Sequence, residues 1–450
     1  ESIAAAREAL ADHTPLVRIA GAGALQVFGA PERFKAVAAI VDDDATATAG
    51  ILFAERTQNE LVVKALAKRA AAGGTLDERR RAIATLGRGD SVDALRALGA
   101  NAKDPAVAYE VARALSTSPS PGALAVVEKL ALDPKTSGLG VRAYVVRRSA
   151  FGESSQAVED VIDALRGSKD GAARALGTFA TIVRGSGDVD AALADRDPRV
   201  RRAVALALQG ERSAGDRHKL VERAAKETDE GVKALSMIAL LDRDARLAVP
   251  TTVLDDHARS AGADAPLAVW ARAARKTEDA DDVVTQLLRS PEAVVRAHAA
   301  RGLAESKAPD AVGILANAYA REVDPDARRA IVVALASAAP ADAEIRTNTL
   351  KLAAFCDPDG EARLDASRAL AGLPVLAAPA VTQIAWLAIT TGDGSKPPPG
   401  MLGSVVRSDG LALPVVFDDD GFALVPGMPP GEARLVLAPR FVPDEDAAKR

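Results

Sequence analysis

Residues 195–210 read DRDPRVRRAVALALQG, and this stretch decides the fold. Asp197 can cap a helix with its carboxylate, and Pro198 suits the first helical position, where no backbone donor is needed. Val200, Val204, Ala207 and Leu208 then share one face at helical spacing, and Gly210 supplies the stop. A single helix is too narrow to bury such a face alone, so neighbouring helices must cover it.

The same wording recurs. With Arg201 as the zero position, the pattern is Arg, two residues, two small or aliphatic residues, one residue, Ala or Gly, then Leu. It returns at Arg18, Arg79, Lys233, Arg296, Arg328 and Arg363, and without the charge at Ala108. The spacings are one, two or three multiples of roughly 31 residues, and softer copies near Gly50, Arg142, Ala173 and Ala268 bring the total to about twelve. Upstream of the Arg-bearing segments, residues 32–41, 90–99, 121–132, 156–165, 282–288, 310–320 and 345–355 carry apolar residues three or four apart and read as partner helices. Thr14-Pro15, Asp104-Pro105, Asp197-Pro198, Ser290-Pro291, Asp324-Pro325 and Asp357-Pro358 mark where the second helix of each pair should begin. The expected fold is mainly α: an α-solenoid of about twelve helical pairs over residues 1–378.

Composition agrees with an elongated array built from small side chains. Apolar residues make up 48% of the 450, but aromatics only 3%, so the interior must be Ala, Val and Leu. The net charge of −5, with both signs interspersed, argues against a globally basic nucleic-acid binder. Cys356 is the only cysteine, which excludes an intramolecular disulfide and a Cys-based metal site. No apolar run reaches the roughly 18 residues of a membrane span.

After about residue 376 the pattern changes. Residues 384–390 (IAWLAIT) fit either a terminal helix or a first strand, and 379–400 is read as a transition ending in the breaker-rich TGDGSKPPPG. Residues 402–407, 411–417, 422–425 and 433–437 read as strands of a small antiparallel β module over 401–440, with hairpin turns at Ser408-Asp409-Gly410 and Asp420-Gly421. Residues 441–450 form a charged tail.

The wording DPxVRxxAxxAL, clearest over 197–208 and echoed over 324–335, resembles HEAT repeats, particularly the short bacterial kind related to phycobilin-lyase HEAT-like repeats. The run GSVVRSDGLALPVVFDDDGFALVPGMPPGEARLVL is similar to the carboxypeptidase regulatory-like, transthyretin-type β module. It lacks at least one strand of that pattern, and is read as a partial module leaning on the solenoid's end. Such modules are frequent in exported bacterial proteins, and the start at Glu1 without methionine is compatible with a removed leader, so a periplasmic, cell-envelope or secreted location is expected over a cytoplasmic one.

Chemical motifs are sparse. His13, His218, His257 and His298 lie in different repeats and form no HExxH or HxH pair, and no GxxxxGK[ST], GxSxG or strand-borne GxGxxG occurs. RGDS at 88–91 falls where Asp90 or Ser91 would cap a helix, and Asp418, Asp419 and Asp420 fit a hairpin turn better than a calcium loop, whose first carboxylate position is Val416. Trp270 and Trp386 are read as packing residues. No catalytic residue, cofactor or metal is expected.

Arginine placement is the distinctive signal. The zero-position Arg should face the groove between repeats and bond the acidic cap of a neighbouring repeat, making a structural ladder. Positions one and five residues on should be solvated, and they hold Arg80, Arg113, Arg147, Arg174, Arg202, Arg301, Arg329 and Arg368. At the chain's basic frequency, 57 in 450, about three basic residues would fall on the roughly 24 such positions. In HEAT-type solenoids the second helices line the concave side, so the resemblance implies an inner arginine stripe for an acidic or carbonyl-rich partner; the alternative is pairing with neighbouring Asp and Glu. The expected function is a non-catalytic scaffold or adaptor for protein partners, in a larger assembly and with nucleic acid disfavoured. The alternatives are a bilin-lyase-like or peptide-modifying enzyme and a polyanion binder.

Overall fold

The computed structural model describes residues 2–89, 91–101, 104–210, 215–220, 227–259, 263, 265–275, 280–338, 342–375, 382–389, 397–398, 400–429 and 433–437. The tail 441–450, most of the 391–400 linker and Asp90 of the RGDS sequence lie outside them. The chain divides into two compact units, Glu1–Ala164 and Leu165–Arg450.

Both units are stacks of helices, as the repeats require. In the first unit, pairs such as Ala123–Leu132 and Ser137–Phe151 pack side by side, and Arg-bearing helices such as Leu76–Arg88 and Pro105–Thr117 stack on one another. In the second, Gly171–Val183 stacks on Pro198–Ala207, Ala265–Ala273 on Ala293–Ser306, and that helix on Pro325–Ser337. The interior is aliphatic: Leu303, Leu315, Ile331, Val332, Leu335 and Leu350 share one cluster with nine buried alanines around them. Gly50 and Gly140 show why small residues are needed. A Cβ on Gly50 would lie 2.6 Å from the Val41 backbone nitrogen, and one on Gly140 would lie 2.1 Å from that of Ala131. The paired helices therefore touch backbone to backbone at these crossings.

Pro15, Pro105, Pro198 and Pro325 open their helices as expected. Asp104, Asp197 and Asp324 accept hydrogen bonds from the first-turn amides, whereas Thr14 makes no side-chain cap. Two starts differ: the helices after Pro291 and Pro358 begin at Ala293 and Gly360, with Glu292 and Asp359 in the cap positions. Asp359 caps Ala362 N, so the better-placed carboxylate wins over the one directly before proline. Asp324→Ala should lower stability by about 1 kcal/mol, read as a shifted urea midpoint at unchanged slope, because two amides lose their acceptor.

The predicted arginine ladder is present, but of its carboxylates only Asp104 caps a helix start; Glu227, Glu322 and Asp357 stand two residues before the caps Asp229, Asp324 and Asp359, and Asp43 three before Thr46. Arg18 reaches Asp43, Arg79 Asp104, Arg201 Glu227, Arg296 Glu322 and Arg328 Asp357. Arg201 and Arg296 also donate to the carbonyls five and six residues earlier, closing the turn before their own helix. Arg174 does the same to Ser168 and Lys169 while pairing with Asp195 at 3.0 Å, and this hydrogen bond raises its pKa. The zero position of that repeat is thus Arg174, one residue later than the Ala173 register expected from sequence.

The β region comprises β1 (Gln383–Ala388), β2 (Leu402–Val406), β3 (Ala412–Val416), β4 (Phe422–Met428) and β5 (Arg434–Leu437). Residues 384–390 therefore begin as a strand, inside the stretch read as a transition. β1 pairs antiparallel with β4, and a second antiparallel sheet runs β3-β2-β5. The Ser408-Asp409-Gly410 turn joins β2 to its partner β3 as expected. The Asp420-Gly421 turn does not close a paired hairpin: β4 leaves β3 and pairs with β1, Leu424 opposite Trp386. Asp418 organises this turn by accepting from the amides of Asp420 and Phe422.

Candidate functional site

The β module's core is not its own. Met401, Val405, Leu413, Val415, Phe417 and Val425 pack with Met237, Leu240, Leu254, Leu267, Trp270 and Ala271 of the repeats in a single cluster. The module thus lies on the repeats around 198–306, not on the last repeat as expected, because its apolar side chains share a core with Met237, Leu254, Leu267 and Trp270 there. β3 and β4 sit against Pro198–Ala207, and β3 also against Glu230–Ser236 and Ala265–Ala273.

Polar groups hold the module's main chain at the edge of this core. Gln209 Nε2 donates to the Pro414 carbonyl at 2.6 Å, Arg301 Nη2 to the Asp409 carbonyl at 2.9 Å, and Ser404 Oγ to the Ala263 carbonyl at 3.0 Å. The Ala412 amide donates to His298 Nε2 at 3.1 Å, while His298 Nδ1 lies 2.8 Å from the Val294 carbonyl. Together these contacts set the neutral tautomer with the proton on Nδ1. Burial pushes the His298 pKa down to about 3, and the nearby Arg301 charge adds to the effect. Arg199 pairs with Asp419 at 3.0 Å, which ties the acidic turn between β3 and β4 to the same face.

The predicted stripe divides when placed on the structure. Arg80 and Arg113 converge on Glu110, at 3.3 and 2.8 Å, and remain 34% and 39% exposed. Arg147 is fully buried, bonding Glu153 and the carbonyls of Leu115, Ser118 and Ser120, so the expected solvation fails there. Its helix turns it into the gap between repeats, where it meets those carbonyls. Arg174 belongs to the ladder. Arg202 forks onto Asp229, and Arg329 reaches Asp365 at 2.7 Å and Glu361 at 3.3 Å. Arg368 is exposed and has no ion pair among the described residues.

Arg301 and Arg329 are brought together at a cleft of about 900 Å³ between the helices Ala293–Ser306 and Pro325–Ser337 and the β2–β3 turn. Sequence reasoning missed its other cations, Arg246, Lys307, Arg407 and Arg434, which come from outside the repeat positions. It also missed His298 as the fastening for β3. Trp270 is 8% exposed, with Arg246 stacked 4.1 Å from its ring centroid and its indole nitrogen donating to Glu305, which agrees with a packing role. Trp386 packs edge-on to Phe422. No cluster of three or more His, Cys, Asp or Glu suited to a metal occurs among the described residues, and no described helix is long and apolar enough to cross a membrane.

Residues 265–336 match the family model of HEAT repeats. These residues cover the Ala265–Ala273 helix and, to within one residue, the Ala293–Ser306 and Pro325–Ser337 helices that line the cleft, and the match with the mainly helical fold supports a HEAT-repeat protein. No curated protein matches the chain.

Proposed function

We propose that this protein is a non-catalytic scaffold or adaptor, whose repeats present a surface to protein partners within a larger assembly. HEAT repeats generally mediate protein–protein interaction, and the match over 265–336 points the same way. The observation that carries the reading is the treatment of the β module: the Arg-bearing face grips a polypeptide in cis through Gln209, His298 and Arg301, using main-chain contacts that do not depend on side-chain identity. A face built this way suits extended or turn-shaped polypeptide. The resemblance of the β module to the transthyretin type, and the export it implies, belong to the same proposal.

The test is native migration of the chain from its own cells. The proposal expects an assembly well above the 46.4 kDa of the chain. Arg368→Glu should weaken retention in it about tenfold, with an unchanged melting temperature, because this guanidinium has no ion pair to lose among the described residues. Migration as a single chain overturns the interaction reading. An intact assembly in R368E removes the arginine stripe from it.

A further inference from the structure

The cleft beside Arg301 has more positive charge than the protein neutralises. Arg246 is held by Glu305 at 3.4 Å, Arg407 by Asp409 at 2.8 Å, Arg434 by Asp326 at 2.6 Å and Arg329 by Asp365 at 2.7 Å. Arg301 and Lys307 are left with no carboxylate partner among the described residues. Arg301 donates to the Asp409 carbonyl and lies 5.7 Å over the Trp270 ring. Burial lowers its pKa, the sign of a cation whose lost hydration is incompletely replaced. Lys307 stands at the end of the Ala293–Ser306 helix in a left-handed conformation, φ 54°, and its side chain is exposed at the cleft's rim.

The floor between these cations is apolar and shallow, made by Ala297, Ala304, Ala330, Ala334 and Val333 on the two helices. The volume of about 900 Å³ lies within the range of ligand-binding clefts. The same molecule also shows what this face accepts. One acidic turn of the β module is tied to it through Asp419 and Arg199, and the other through the Asp409 carbonyl and Arg301.

We infer that the cleft between the Ala293–Ser306 and Pro325–Ser337 helices and the β2–β3 turn docks an acidic polypeptide segment, with Arg301 and Lys307 receiving its carboxylates. The inference rests on the interaction reading above and names the chemistry of the partner. Arg301 supplies a planar donor fork that is already oriented by Trp270 and Asp409, so little side-chain freedom is lost on binding. Lys307 adds a mobile point charge at the rim, and the alanine floor lets a main chain approach closely.

The test is fluorescence anisotropy of a fluorescein-labelled hexaglutamate peptide with the full chain at low ionic strength, where surface attraction is least screened. Saturable binding is expected, with none for a hexalysine peptide. Lys307→Glu should weaken it at least tenfold and Lys307→Arg should retain it, both with the wild-type melting temperature. Absence of saturable binding, or equal affinity in K307E, overturns the inference. Displacement by millimolar inorganic phosphate also overturns it, since the site would then take a small oxyanion in place of a peptide. If peptide binding fails while the native assembly persists, only the cleft is lost; migration of the chain alone sinks the broader reading whatever the peptide does.

Discussion

Arg147→Met should destabilise the Glu1–Ala164 unit by about 3–5 kcal/mol, the usual consequence of breaking a buried ion pair by removing one partner. The guanidinium is fully buried and forks onto Glu153 at 2.6 and 2.7 Å, and its other hydrogen bonds go to the carbonyls of Leu115 and Ser118 at 2.6 Å and of Ser120 at 3.4 Å. Methionine fills much of the volume, but the carboxylate and the carbonyls of Leu115 and Ser118 lose the guanidinium together. For a unit of this size the melting temperature should fall by roughly 10 °C. Glu153→Gln should cost less, since an amide oxygen still accepts from the guanidinium and the carbonyl contacts persist. A change in R147M below about 1 kcal/mol would show that water replaces the arginine at those carbonyls, and would remove its role as the bolt between these repeats.

Acid should loosen the second unit through His298, and the size of the effect follows from linkage. The folded-state pKa of about 3 lies below the ordinary value near 6.5, so between these values the unfolded chain binds a proton that the folded one does not. Stability from this group is therefore fully present above about pH 6.5 and is lost as pH falls toward 3. At pH 5 the loss amounts to about 2 kcal/mol relative to neutral pH, before most carboxylates titrate. Protonation would also place a second donor against the Ala412 amide, which already donates to Nε2, so β3 and its turn should be the first to lift. Urea titrations of the wild type and of His298→Gln at pH 7 and pH 5 check this: the difference between the two pH values should shrink by about 2 kcal/mol in H298Q, whose amide does not titrate. Equal pH dependence in both would mean that the imidazole is charged or hydrated in the folded state.

The repeat, and with it the ladder of Arg201, Arg296 and Arg328, was legible in the sequence because it is a local device. Arg201 and Arg296 close their own turns, all three reach one repeat ahead, and helical spacing alone dictates the direction. The strands from β2 onward were legible for the same reason, through alternation and turn residues. Arg147 and Arg174 were not. A one-residue shift of register turns a helical side chain by about 100°, which separates solvent from the inter-repeat groove, and the copies near Arg142 and Ala173 carry too little pattern to set that register.

The β module's seat lay beyond the reach of sequence reasoning. Gln209 meets Pro414 and His298 meets Ala412 across more than a hundred residues, and no periodic signal links such positions. Nothing distinguishes Met237, Leu267 or Trp270, which serve the β module, from residues that serve only neighbouring helices.

From the order of residues alone came the helical array, its small-residue interior, its caps and its inter-repeat ion pairs, since all of these act over one turn or one repeat. Only the tertiary structure decided that the module covers the face around 198–306, that most of the predicted stripe is already paired, and that Arg301 and Lys307 stand without carboxylate partners among the described residues beside an open cleft. The physical reason is one of range: backbone geometry and helical periodicity propagate along the chain, whereas burial and charge balance belong to whichever surfaces the folded chain brings together.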